Sequence, residues 1–226
     1  KHAVKFSKAS GVSQAAIGFV LIAVSTSIPE FTIGIISSLK GAGSLSLGNV
    51  IGANIVNVSL IFGLLAFIGF RIKKDYHDKI TFSVLLVSLV GVFLLFMGKV
   101  DIVMGLFLLI IFYVFSRTII GVGVAGGRKT KDPHAGKHLF LTLLGVAVVL
   151  FSAHFVTTSA IEMSSVLNLS QTLIGAAVLS IGTTLPELSV GIAAMRRNKP
   201  ELALGDGIGT IVTNITLVLG TASLIS

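Results

Sequence analysis

The chain has 226 residues, of which 54% are hydrophobic and only 12% charged, with a formal net charge of +8. Soluble domains carry about 25% charged residues, so this balance, with a mean hydropathy of +1.01, excludes an ordinary soluble domain. Cysteine is absent, which excludes a disulfide framework, a thiolate metal site and an iron–sulfur cluster.

Apolar runs of about 20 residues recur from end to end, the length that crosses a bilayer as a helix. They are continuous rather than alternating, which excludes a β-barrel. No cleavable signal peptide is visible and the chain opens on Lys1 rather than Met, so a trimmed start is expected.

Seven spans are predicted. The first, 14–39, contains Thr26-Ser27-Ile28-Pro29-Glu30 and ends at Lys40-Gly41-Ala42-Gly43. The second, 44–69, contains Gly48-Asn49-Val50-Ile51-Gly52-Ala53-Asn54-Ile55-Val56-Asn57 and ends in the charged stretch Arg71 to Lys79. Spans at 80–97 and 101–120 follow, separated by Gly98-Lys99-Val100-Asp101. The longest loop, Gly126 to Lys137, is the candidate linker between two halves, 1–125 and 138–226. The second half holds spans at 138–163, 171–195 and 202–225, broken at Leu167-Asn168 and at Arg196 to Glu201. Its sixth span carries Thr183-Thr184-Leu185-Pro186-Glu187, and its last carries Gly205-Asp206-Gly207-Ile208-Gly209-Thr210-Ile211-Val212-Thr213-Asn214.

Alternating the loops between two sides places 15 of the 17 Lys and Arg together, leaving Lys40 and Lys99 opposite. The basic loops 71–79, 117–137 and 196–199 are therefore expected in the cytoplasm. That distribution also accounts for the net charge without nucleic acid.

The two motif-bearing regions are copies. At a constant offset of 157, residues 13–63 match 170–220 at 17 of 51 positions without a gap, including Pro29/Pro186, Glu30/Glu187, Gly48/Gly205, Gly52/Gly209 and Asn57/Asn214. Lys40 falls outside whereas the equivalent Arg196-Arg197-Asn198-Lys199 falls inside, so the copies are inverted. Inverted repeats are the signature of secondary transporters, whose sites lie near the midplane between the repeats. The same offset predicts a parent of ten spans in a 5+5 arrangement, of which this chain holds TM2–TM8 with the tail of TM1.

A carboxylate at membrane depth is costly and marks a functional site. Proline in mid-span removes a backbone donor and breaks the helix, near Ile28 and Leu185, and irregular backbone is tolerated there when it lines a cavity. Glu30 and Glu187 with the hydroxyls of Thr26, Ser27, Thr183 and Thr184 make an all-oxygen set. Such a set suits Ca²⁺, which takes 6–8 oxygens, and can equally hold Na⁺. The paired glycines are read as helix-packing residues. Asn57 and Asn214 are not explained by packing and can supply ligand carbonyls or position the glutamates.

Both copies resemble the α-repeats of the sodium/calcium exchangers of the cation/Ca²⁺ antiporter superfamily. The resemblance implies an all-α polytopic membrane protein with the inverted-repeat antiporter fold, exchanging Na⁺ for Ca²⁺ by alternating access. It implies that Glu30, Glu187 and the backbone carbonyls of Thr26 and Thr183 hold Ca²⁺. For Na⁺ it implies Ala23 (carbonyl), Thr26, Ser27, Glu30 and Asn57 from one half, and Ser180 (carbonyl), Thr183, Thr184, Glu187, Thr210 and Asn214 from the other. The expected partners are the two ions and the lipid of a cell membrane, with no cofactor and no enzymatic role; oligomeric state is not set. Three positions depart from the family. Ala53 replaces a serine. Asp206 stands where Asn is more usual, adding a charge near the cytoplasmic approach, with a helix-capping role and an ion role both open. Asn214 stands where some members have Asp.

Three other functions are weighed. A proton/Ca²⁺ antiporter of the same superfamily carries an Asn-Ala-x-Glu-His pattern absent here, although His154 is a candidate proton relay. A seven-helix receptor or retinal protein conflicts with the repeat and with the lack of a lysine inside any span. An intramembrane enzyme lacks a hydrolytic constellation.

Overall fold

The computed structural model describes residues 22–67, 85, 89–90, 101–121, 151–152 and 154–225. Among these residues no strand occurs, and the all-α class expected from the sequence holds. Most of the predicted spans at 80–97 and 138–163, the linker 126–137 and the basic loop 71–79 lie outside the described residues.

The first motif-bearing span is broken in two. A short helix Val24–Thr26 ends at Ser27 (φ −77°, ψ 5°), and α1, Ile28–Leu39, begins immediately after it with Pro29 in its first turn. Proline needs no donor there, so the residue that breaks the incoming helix starts the outgoing one. A tight turn then leads into α2, Gly43–Asn57. The helix runs on through Val58–Phe62 and Gly63–Phe67; α3 is Ile102–Gly121, opened by Asp101, whose carboxylate accepts the Met104 N–H at 2.9 Å as an N-cap does.

The second copy repeats this design. The span Gln171–Met195 opens on Ser170, whose hydroxyl accepts the Leu173 N–H at 3.2 Å. It breaks at Thr184 (φ −84°, ψ −2°), and α4, Leu185–Met195, starts with Pro186 in its first turn. α5, Pro200–Thr213, and α6, Leu219–Ile225, complete it.

Both hairpins close by the same local chemistry at positions 157 residues apart. Gly41 has φ 68° and Asn198 has φ 52°. The N–H of Ala42 reaches the Ser37 carbonyl at 2.8 Å, and that of Lys199 reaches the Ala194 carbonyl at 2.9 Å. These are six-to-one Schellman closures, which require a left-handed residue; glycine and asparagine are the types that tolerate it.

Proline predicts the break but not what lies beside it. The chain forms π-helical turns at Val58–Phe62, Gly175–Leu179 and Asn214–Val218, and residues 22–23 are also π-helical. Each repeat thus carries one such turn just before its Thr-x-x-Pro-Glu and another at or just after its repeated asparagine, Asn57 or Asn214. Such turns cluster at functional sites because they re-aim side chains and backbone groups within a helix.

The packing is inside-out relative to a water-soluble protein. Among the described residues, buried polar side chains are as numerous as buried apolar ones, while Ile102, Val103, Leu106, Phe107, Ile110 and Val114 of α3 lie exposed. An apolar exterior around a polar interior fits hydrocarbon as solvent. One apolar cluster joins Val50, Met104, Leu108, Ile211, Val212 and Val218. A second joins Ile33, Leu45, Ala160, Ile174 and Leu179.

Candidate ion site

Glu30 and Glu187 each occupy the third position of a helix that begins at a chain break, α1 and α4. A carboxylate in the first turn meets the positive end of the helix dipole and its unpaired N–H groups. Both glutamates are fully buried, and none of their four carboxylate oxygens has a hydrogen-bond partner. They lie within electrostatic reach of one another, and Glu187 is also within reach of Asp206. Each faces the hydroxyl of the opposite repeat without a bond to it: Thr183 beside Glu30, and Thr26 beside Glu187. The pairing that the sequence implied is thus a pairing across the repeat interface.

All eleven residues expected at the site, Ala23, Thr26, Ser27, Glu30, Asn57, Ser180, Thr183, Thr184, Glu187, Thr210 and Asn214, are buried. Their polar groups fall into two sets. Thr26 donates to the Ala23 carbonyl at 3.1 Å, Thr184 to the Ser180 carbonyl at 2.9 Å, and Ser180 to the Ala176 carbonyl. These hydroxyls bond to their own backbone, as membrane helices allow. The carbonyls of Ala23 and Ser180 also keep their helical partners, the N–H groups of Ser27 at 3.0 Å and Thr184 at 3.1 Å. By contrast the hydroxyls of Ser27 and Thr210, the Asn57 amide nitrogen and the Asn214 amide oxygen have no partner. A buried polar atom left unpaired costs about 1–3 kcal/mol, so the Ser27 and Thr210 hydroxyls, the Asn214 amide oxygen and the four carboxylate oxygens are the strongest ligand candidates; the Asn57 amide nitrogen is a donor and ligates no cation.

Two residues outside that set are drawn into the site. Asn49 accepts from the Thr183 hydroxyl at 3.3 Å. Asn54 donates to the Ile211 carbonyl at 3.2 Å and accepts from the Asn214 amide at 3.2 Å. Asn54 and Ile211 are mates under the repeat offset, so this contact lies on the pseudo-two-fold axis. A signal for Asn54 existed in the sequence, as a polar residue whose counterpart is apolar. Asp206 needs a correction. It lies in the middle of α5, fully buried, so it does not cap a helix.

Glycines set the distance between the repeats. A Cβ at Gly48 would stand 2.8 Å from the Thr172 Cα and closer still to its carbonyl oxygen, and one at Gly52 would stand 2.8 Å from the Ser180 Cβ. From the other side, a Cβ at Gly175 would meet the Asn49 nitrogen at 2.7 Å. The packing role read for the glycines of α2 is what the structure gives them, and it brings Asn49 against Thr183. Among the described residues no three His, Cys, Asp or Glu side chains meet at single-ion spacing. Neutral oxygens must therefore complete any shell built on two carboxylates.

Known proteins resemble this chain over most of its length. The model of the family described as sodium/calcium exchanger protein matches residues 1–121 and 137–226. The membrane protein MJ0091 of Methanocaldococcus jannaschii is 32% identical over 217 residues, covering 94% of this chain and 71% of its own length. The sodium/calcium exchanger MaX1 of Methanosarcina acetivorans is 27% identical over 274 residues, covering 99% of this chain and 77% of its own. Among solved structures, the sodium-calcium exchanger NCX_Mj soaked with Na⁺ and Sr²⁺ superposes with a TM-score of 0.76 at 28% identity, covering 99% of this chain and 75% of that one.

Proposed function

This chain belongs to the sodium/calcium exchanger family, and we propose that it exchanges Na⁺ for Ca²⁺ by alternating access, with both ions drawn to Glu30 and Glu187. The observation that carries this reading is the pair of fully buried, unpartnered carboxylates, one from each inverted repeat, at matching helix breaks. Two carboxylates match the charge of one Ca²⁺. The surrounding neutral oxygens, from Ser27, Thr210, Asn214 and backbone, suit either a calcium shell or separate sodium shells. Because the ions compete for the same charges, Na⁺ entering from one side displaces Ca²⁺ bound from the other. A helix break at each glutamate gives each repeat a joint about which the outer segments can move while the site stays fixed.

The proton-coupled alternative finds little support. His154 is exposed, with its ring edge-on to Phe155 at 5.7 Å, rather than among the buried groups at the glutamates. Ca²⁺ uptake into Na⁺-loaded proteoliposomes tests the proposal. Dissipating the Na⁺ gradient is expected to abolish uptake, dissipating the pH gradient to leave it, and Glu30→Gln or Glu187→Gln to abolish it. Uptake that persists in either variant would remove the two-carboxylate site, and uptake that follows only the pH gradient would remove Na⁺ coupling.

A further inference from the structure

Asp206 is a third buried carboxylate for which nothing above supplies a purpose. It is completely buried in mid-helix, and neither of its oxygens has a hydrogen-bond partner. It faces the Thr26 hydroxyl and lies within electrostatic reach of Glu187.

Its mate in the first repeat, Asn49, is neutral. Asn49 occupies the equivalent place, faces the equivalent threonine, and accepts that hydroxyl's proton at 3.3 Å. The Thr26 hydroxyl is bonded to the Ala23 carbonyl at 3.1 Å, and neither Asp206 oxygen has a hydrogen-bond partner. Asp206 and Glu187 are two buried carboxylates within electrostatic reach, and two such charges repel in low dielectric. A cation between them makes both contacts attractive.

Resting on the exchanger reading, we propose that Asp206 is a cation ligand which, with Thr26 and Glu187, forms a subsite for a monovalent ion, Na⁺, beside the Glu30–Glu187 pair. The three carboxylates do not converge on one point, so Asp206 does not enlarge the Ca²⁺ shell but serves a neighbouring position. Glu187 belongs to both positions, so Ca²⁺ on the pair and Na⁺ on the subsite compete. The second repeat thus differs chemically from the first, where the equivalent place is neutral.

The test is ion-dependent thermal stabilisation of the purified intact protein, titrated separately with NaCl, against choline chloride, and with CaCl₂. Wild type is expected to respond to both. In Asp206→Asn the apparent Na⁺ affinity is expected to fall about tenfold or more, the loss typical of removing one charge-assisted contact, while apparent Ca²⁺ affinity stays within about threefold. Asp206→Glu is expected to recover part of the Na⁺ response. Wild-type Na⁺ affinity in Asp206→Asn overturns the proposal, as does a parallel loss of Ca²⁺ affinity, which would assign Asp206 to the shared pair. If Asp206→Asn does not fold, Asp206→Ser is titrated and judged by the same criteria. A wild type that responds to neither ion overturns the exchanger reading itself, an outcome distinct from a wild type that responds to both beside an unaltered Asp206→Asn.

Discussion

Asn54 shows how one side chain can tie two repeats together. Its amide nitrogen is bound to the Ile211 carbonyl and its amide oxygen to the Asn214 amide, so both ends of a planar group are fixed across the axis. Asn214 is thereby oriented with its own carbonyl oxygen unpartnered, which is the atom a cation would use. Asn54→Leu keeps the volume, deletes both bonds and strands the Asn214 N–H in an apolar surrounding. The expected cost is about 1–3 kcal/mol, seen as a lower unfolding temperature in detergent, with a weakened response to Na⁺. Full stability in Asn54→Leu would show that the bridge is dispensable. Sequence reading singled out Glu30, Glu187 and Asn214 because their residue types are out of place in hydrocarbon. It could not assign Asn54, whose partner is a backbone carbonyl 157 residues away that no side-chain pattern announces.

At the scale of elements, the site is held by a glycine crossing and by broken helices. α2 approaches the Gln171–Thr183 segment so closely that a methyl group at Gly48 or Gly52 cannot be placed without moving backbone. Overpacking of this kind costs about 1–3 kcal/mol, and here it also moves Asn49 off Thr183. Gly48→Ala and Gly52→Ala are expected to lower the unfolding temperature and reduce Ca²⁺ uptake together. Gly182→Ala is the matched control, since a Cβ there meets nothing within 4 Å among the described residues. It is expected to change stability by less than about 1 kcal/mol. If all three variants behaved alike, close approach would not be the reason for glycine at this crossing. The breaks at Ser27 and Thr184 were legible from Pro29 and Pro186. The π-helical turns beside them were not, because an extra residue per turn is imposed by packing and leaves no fixed residue signature.

At the scale of the molecule, inversion of the repeats puts equivalent turns on opposite faces of the membrane. Gly41 and Asn198 close those turns with the same left-handed geometry, so local structure cannot tell the two sides apart. Charge does so, with Lys40 alone in one turn and Arg196, Arg197 and Lys199 in the other. These 226 residues hold no cysteine, so no thiol among them competes with an introduced one. Lys40→Cys and Arg197→Cys occupy equivalent positions, both exposed. In sealed right-side-out vesicles a membrane-impermeant maleimide is expected to label the first and to reach the second only after permeabilisation. Labelling of both from one side would refute the inverted topology.

The sequence alone determined the solvent, the repeat, the helix breaks and the two glutamates. Each of these follows from what a residue type costs in hydrocarbon or in a helix, and such costs are local. The tertiary structure decided which atoms are left without partners. It satisfied Thr26, Thr184 and Ser180 within their own helices, bound Asn49 and Asn54 across the interface, and left Glu30, Glu187 and Asp206 with acceptors unmet. That allocation depends on where segments far apart in the chain come to lie, and only the packed repeats fix it.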